Sequence, residues 1–360
     1  MAQIDGFFKL MNDEGASDLH MVAGQQPILR IRGDMERVKF KALNNDDLRS
    51  MLYEICPEEK IKSFEESGDV DFGYEIPGLA RYRCNFFRQK YGIGAVFREI
   101  PSEILTVEQL GLPKVISRLA HLPKGLVLVT GPTGSGKSTT LAAIVDEVNK
   151  TRKDHILTIE DPIEFVHKSQ KCIVNHREVG THTKSFSAAL RGALREDPDV
   201  IMVGEMRDLE TISLAMEASM TGHLVFGTLH TINAMKTVDR VIEIFPANQQ
   251  GQVRSTLADA LRAVVSQTLF KRVDVKGRCA ALEILIATPA VRNLIRDSKT
   301  FQILSVMQTG KKFGMQTLDD AIEDYLKKKM ISPDDAYSNC VEKGRFVKYL
   351  KKAPTDFTEV

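Results

Sequence analysis

Residues 125–138 limit the fold of this chain more than any other stretch. They read Gly-Leu-Val-Leu-Val-Thr-Gly-Pro-Thr-Gly-Ser-Gly-Lys-Ser, an apolar run of strand character that ends in the pattern G-x-x-x-x-G-K-[ST]. Successive backbone N–H groups in such a glycine-rich turn make a concave anion site, and the helix expected to begin there adds the positive end of its dipole. Lys137 supplies a movable cation for β- and γ-phosphates, and Ser138 supplies a hydroxyl suited to Mg2+. Gly131, Pro132, Thr133, Gly134, Ser135, Gly136 and Thr139 complete the loop. The segment therefore predicts a strand, a phosphate-binding turn and a helix, with a nucleoside triphosphate as ligand.

At 360 residues the chain is too long for one ordinary core, and two domains are expected. Lys and Arg total 49 against 48 for Asp and Glu, so no overall cationic field points to nucleic acid. The C-terminal fifty residues look basic at Lys327–Lys329 and Lys351–Lys352, yet residues 311–360 hold ten basic and nine acidic side chains. That balance marks a solvated surface. Five cysteines without a C-x-x-C pair fit reduced thiols in the cytosol and make a zinc site unexpected. No stretch reaches the ~20 apolar residues of a membrane span, so stable membrane insertion is not expected.

Residues 1–100 read as a small α+β domain. Ile4–Met11 and Asn45–Ile55 have helical spacing, and Pro27–Arg32 with Arg37–Phe40 read as a hairpin around a Gly33-Asp34 turn. Further strands are expected at 69–74, 80–87 and 94–100, forming an antiparallel sheet. Prolines 101, 113 and 123 punctuate the next segment, which places a linker at 101–113 and a second domain at 114–360. From Gly125 onward strands alternate with helices, the signature of a parallel sheet covered on both faces and hence of an α/β fold. Ser185 and Asp208 are placed as helix N-caps.

Three apolar strands of this domain end in polar residues: Ile156–Ile159 before Glu160-Asp161, Val200–Val203 before Gly204-Glu205, and Leu224–Thr228 before Leu229-His230. In open parallel sheets ligands sit at the carboxyl ends of strands. Hydrolysis of a terminal phosphate needs one group to orient and deprotonate water and another to hold Mg2+. Glu160, Asp161 and Glu164, around Pro162, and Glu205 are the carboxylates available, and the residues alone do not say which is the base. His223 lies seven residues before His230, about 23 Å along a strand at ~3.3 Å per residue. His230 is therefore the phosphate sensor of the two, and His223 is equally read as a structural residue.

Taken together, the phosphate loop, Ile159–Phe165, Arg195–Asp208 and Thr221–Thr231 resemble the Walker A, aspartate, Walker B and histidine boxes of the type II and type IV secretion ATPases, in that order. Within that family the chain is most similar to the members that retract type IV pili. Ala16–Met21 looks like their N-terminal signature. Ala290–Asp297 resembles a C-terminal motif linked to retraction, with Val291 and Asp297 as conservative departures. Extension and secretion members usually carry a tetracysteine zinc insert and extra N-terminal domains, which this sequence lacks.

The resemblance implies a RecA-like ATPase core, a PAS-like N-terminal domain, ATP and Mg2+ as ligands, a homohexameric ring, and a cytoplasmic location against the inner-membrane platform protein at a pilus base. It implies Glu164 as the water-activating base, Ser138 and Glu205 on the Mg2+ side, and Arg83 and Arg98 as cations reaching the phosphates of an adjoining subunit, with Arg81 as a secondary candidate. Extension or secretion ATPases of the same family and RecA-like nucleic-acid motors are the alternatives. DNA-stimulated turnover would favour the nucleic-acid motor.

Overall fold

The computed structural model describes residues 2–31, 34–100 and 103–352. They divide into two compact units. The described residues of Met1–Glu103 together with Asp161–Val166 form the first, and those of Ile104–Glu160 and His167–Val360 form the second. Arg32, Gly33, Pro101 and Ser102 lie outside the described residues, and with them the centre of the expected N-terminal turn and the start of the expected linker.

In the first unit, β1 (Asp18–Val22), β2 (Ile28–Ile31), β3 (Asp34–Arg37), β4 (Asp69–Ile76), β5 (Ala80–Gln89) and β6 (Gly92–Ile100) form one sheet, in the order β3-β2-β1-β6-β5-β4. All its pairs are antiparallel. Alternation along β5 buries Ala80, Tyr82, Cys84 and Phe86 and turns Arg81, Arg83 and Asn85 to the other face. The buried face packs on Phe8 of the helix Asp5–Asp13, whose ring stacks on Tyr82 at 4.2 Å and meets Phe97 edge-on at 5.1 Å.

One hairpin arm differs from expectation. β3 runs from Asp34 to Arg37, earlier than the Arg37–Phe40 read from the sequence, with Ile31 paired to Asp34 and Ile28 to Arg37. All four β3 side chains are exposed, so no apolar alternation marked its place.

The second unit is built on seven strands: β7 (Gly125–Thr130), β8 (His155–Glu160), β9 (Ile173–Glu178), β10 (Val200–Val203), β11 (Leu224–Leu229), β12 (Leu261–Lys271) and β13 (Arg278–Ile286), in the order β13-β12-β7-β11-β10-β8-β9. Every neighbouring pair is parallel except β12 with β13. β7, β10 and β11 are buried at every position, as expected for strands covered on both faces. Alternate residues of β7 feed two cores. Leu126 and Leu128 pack with the helices Leu209–Met220, Ala234–Glu243 and Gln250–Ala260, and Val127 and Val129 pack with Lys114–Ala120 and Lys137–Thr151. A third cluster seats the helices Leu318–Lys327 and Pro333–Asn339 on Phe270, Cys279 and Ala281.

No helix of the described residues is long and apolar enough to cross a membrane. All five cysteines are free thiols and buried. Ser185 Oγ accepts from the Ala188 N–H at 3.0 Å and caps the helix Phe186–Ala193, as its sequence position predicts. Replacing Ser185 with Ala should lower the opening free energy of that helix by about 1 kcal/mol. Native-state hydrogen exchange of its amides measures the change, and unaltered protection would show that the cap is energetically idle.

Candidate active site

The phosphate loop leaves β7, the strand held between β11 and β12. Gly131, Gly134 and Gly136 have φ of 143°, 78° and 86°, values that L side chains rarely adopt. A Cβ on Gly131 would also stand 2.6 Å from Ser135 Oγ, so glycine is required there by both backbone and space. The helix Lys137–Thr151 starts directly after Gly136, with no side chain capping its first N–H groups. Lys137 Nζ donates to the carbonyls of Gly131 (2.8 Å) and Pro132 (3.1 Å). Pro132, Thr133 and Gly134 are exposed, and Ser138 and Thr139 are half-buried in the first turn.

This donor set fits a polyphosphate. Ser135 Oγ is buried with no hydrogen-bond partner among the described residues, and uncapped helix N–H groups and a lysine surround it in sequence. No cluster of three or more His, Cys, Asp or Glu able to hold a metal occurs among the described residues. Ser138 and Glu205 offer the hard oxygens that Mg2+ prefers.

Glu205 and His230 meet at adjacent strand ends. Val203 pairs with Gly227, and Leu229 pairs with Thr130, so the residues that follow β10, β11 and β7 emerge along one edge of the sheet. Thr228 Oγ1 donates to the Gly204 carbonyl, and Met206 N donates to the Thr228 carbonyl at 3.0 Å, which pins the two chain exits together. His230 Nε2 lies 2.8 Å from Glu205 Oε1. Arg207 grips the same carboxylate with Nε at 2.5 Å from Oε1 and Nη2 at 2.6 Å from Oε2. Burial pushes the Glu205 pKa up, but the Arg207 hydrogen bond and charge, with His230, outweigh it and hold the group below the ordinary glutamate value. These residues line a cleft of about 330 Å³ that also takes in Thr231 and Arg240. His223 stands just before the opposite end of β11, its Nδ1 2.9 Å from the Ala218 carbonyl, and is not brought together with His230.

The remaining candidates belong to the first unit. Arg83 on β5 faces Arg98 on β6 directly in the register, and Arg98 in turn faces Asp18 on β1. Like charges opposite one another repel, and each arginine has its own carboxylate. Arg83 Nε is 3.5 Å from Asp71 Oδ1, and Arg98 Nε is 2.8 Å from Asp18 Oδ1. Arg83 and Asp71 are both partly exposed, 41% and 39%, and form a pair of the weak, solvent-screened kind, whereas the exposed Arg98 reaches an Asp18 carboxylate that is itself only 5% exposed. Arg81 shares their face, and its Nε donates to the Ile163 carbonyl at 3.4 Å. Ile163 precedes the half-buried Glu164 on the 161–166 segment, which is compact with the first unit although it leaves the second unit's sheet at Glu160.

The type II/IV secretion system protein family matches residues 92–292. The chain belongs to that family. The type IV pilus retractation ATPase PilT of Pseudomonas aeruginosa is 56% identical over 323 residues, which cover 90% of this chain and 94% of the relative. A twitching motility protein of Neisseria gonorrhoeae is 52% identical, covering 86% of this chain and 83% of the relative. A crystal structure of the pilus retraction motor PilT with bound ADP superposes with a TM-score of 0.88 at 45% identity, covering 96% of this chain and 98% of that one.

In this member of the secretion family the sequence alone assigns Arg207 no role, although it lies inside the Arg195–Asp208 stretch. An arginine two residues after a strand-end glutamate was the available signal. Replacing Arg207 with Ala should raise the Glu205 pKa, visible as an upward move of its carboxyl 13C titration. The pair's stabilisation is present above the unfolded glutamate value of 4.5 and is lost as pH falls through the lower folded value. The wild-type stability advantage over the variant should therefore shrink below about pH 4.5. An unmoved Glu205 titration would mean that Arg207 does not govern the carboxylate.

Proposed function

We propose that this protein is a homohexameric, Mg2+-dependent ATP hydrolase that drives retraction of a type IV pilus. The observation that carries the reading is the emergence of the phosphate loop, Glu205 and His230 along one sheet edge in a chain 56% identical to a pilus-retraction ATPase. Backbone N–H groups of Gly131–Ser138 and the Lys137 ammonium bind the phosphates, with Thr139 completing the first helical turn. Ser138 and Glu205 would hold Mg2+, which supplies charge neutralisation at the phosphate oxygens when bound. Glu164 takes a proton from the attacking water as the bond from the γ-phosphorus to the bridging oxygen breaks and ADP leaves. His230 senses the γ-phosphate while its Nε2 stays tied to Glu205.

Arg83 and Arg98 lie in the proposed N-terminal domain, residues 1–100, and reach the phosphates of an adjoining subunit. A linker at 101–113 joins that domain to the ATPase region, 114–360. Charge stabilisation supplied from a separate domain makes turnover conditional on domain position, so hydrolysis and displacement become one event. Successive closures around a ring would then pass motion to a partner, for which the inner-membrane platform protein of the pilus base is the candidate. The protein is accordingly placed on the cytoplasmic side, peripheral to that membrane, with no role for nucleic acid.

Glu164→Gln should lower kcat by roughly 10²–10⁴ while hexamers persist in sedimentation analysis. Near-normal hydrolysis would remove Glu164 from the role of base. Arg98→Ala and Arg83→Ala should each cut kcat by about 10³ or more with ADP affinity changed far less, since the cation acts mainly on transition-state charge. An equal loss of affinity and rate would place these arginines in ground-state binding.

A further inference from the structure

Gln267 on β12 has no place in the chemistry described above, yet it touches both the phosphate loop and the helix that follows it. β12 runs parallel to β7 with Ser266 opposite Thr130, so Gln267 stands level with the first loop residue. It is 97% buried, its relative exposure being 3%. Its amide is used at both ends: Nε2 donates to the Ser135 carbonyl at 2.6 Å, and Oε1 accepts from Thr140 Oγ1 at 2.7 Å. Ser135 belongs to the loop and Thr140 to the first turn of the helix Lys137–Thr151. One side chain thus spans the joint where loop becomes helix.

The joint itself is built around that amide. Gly136, between the two contacts, has φ of 86°, and a Cβ there would lie 2.7 Å from Gln267 Nε2. The peptide unit is planar, and in the trans form its C=O and N–H point in opposite directions. Holding the Ser135 carbonyl against Gln267 therefore aims the Gly136 N–H away from the strand, in a loop whose function is to present N–H groups to phosphate oxygens. The opposite face of β12 reaches the other side of the site. Ser266 Oγ is 2.8 Å from Thr130 Oγ1, which lies 3.5 Å from Thr237 Oγ1, and Thr237 Oγ1 is 2.7 Å from Thr231 Oγ1 beside His230.

We infer that Gln267 is a positioning residue for the phosphates of a bound nucleoside di- or triphosphate: through its contacts with Ser135 and Thr140 it pre-sets the loop N–H groups as donors. The inference rests on the nucleotide-binding reading proposed above. Donors set before the ligand arrives serve ADP and ATP alike and act equally on ground state and transition state. Their loss accordingly appears in Kd and KM and spares kcat.

The test uses the full-length protein, with ADP binding followed by calorimetry and ATP turnover by phosphate release. Gln267→Leu removes both contacts at similar volume, and Gln267→Glu keeps an acceptor for Thr140 while losing the donor to Ser135. Both should raise the ADP Kd and the ATP KM by about tenfold or more, with kcat within about threefold of wild type. A purely structural defect would instead lower the active fraction, so that kcat falls while KM stays put. Kd and KM within about twofold of wild type in the folded Gln267→Leu protein would overturn the inference. Should that variant fail to fold, Thr140→Val, a near-isosteric loss of the second contact, decides: a rise in ADP Kd of about threefold supports the brace, and none sinks it. Wild-type protein that bound no ADP would overturn the nucleotide reading itself, an outcome separate from any difference between variants.

Discussion

The parallel pairing of β7 between β11 and β12 is the constraint on which the rest of this molecule depends. Parallel strands in one sheet end on the same edge, and here that edge collects the phosphate loop from β7, His230 from β11 and Glu205 from β10. Each of these three strands is buried from end to end, which leaves no water to satisfy their backbone groups and makes the ladder obligatory. The polar residues appear only where the strands stop. An apolar interior thus fixes the position of a charged rim, and the rim inherits the rigidity of the core.

Charge is handled locally, which agrees with a near-neutral chain of 49 basic and 48 acidic side chains. Glu205 is paired with Arg207 and lies in hydrogen-bond reach of His230, Arg98 is paired with Asp18, and Arg83 with Asp71. The Arg83–Asp71 pair joins two partly exposed groups and is of the kind held by fractions of a kcal/mol to about 1 kcal/mol, whereas Arg98 is tied to a carboxylate that is itself buried. Gln267 works differently: a neutral, buried amide with both ends satisfied does not exchange partners, and it keeps the loop in shape whichever ion pairs change around it.

Local chemistry was the most legible part of the sequence. The caps at Ser185 and Asp208 stand where their residue types place them, because capping needs only a short polar side chain and the N–H three residues on. The strands at β7, β8, β10 and β11 were visible as apolar runs with polar ends. β9, β12 and β13 were not placed. β9 is an edge strand with Ile173 exposed at 65%, and β12 and β13 are a long antiparallel pair appended to a parallel sheet, where the helix–strand alternation that guides the eye has lapsed. The displaced β3 had no buried face to reveal its register.

By itself, then, the amino-acid sequence determined the phosphate loop, the order of the motifs along the chain, the α/β character of the larger region and the antiparallel character of the smaller one. Those features depend on residue type at short spacing, which a linear text preserves. Only the tertiary structure decided that Arg207 and His230 share one carboxylate and that the 161–166 segment is compact with the first unit. It alone revealed that a glutamine 132 residues from Ser135 holds the loop's carbonyl. Contacts at that separation are set by strand order and register, and neither quantity is written in any local run of residues.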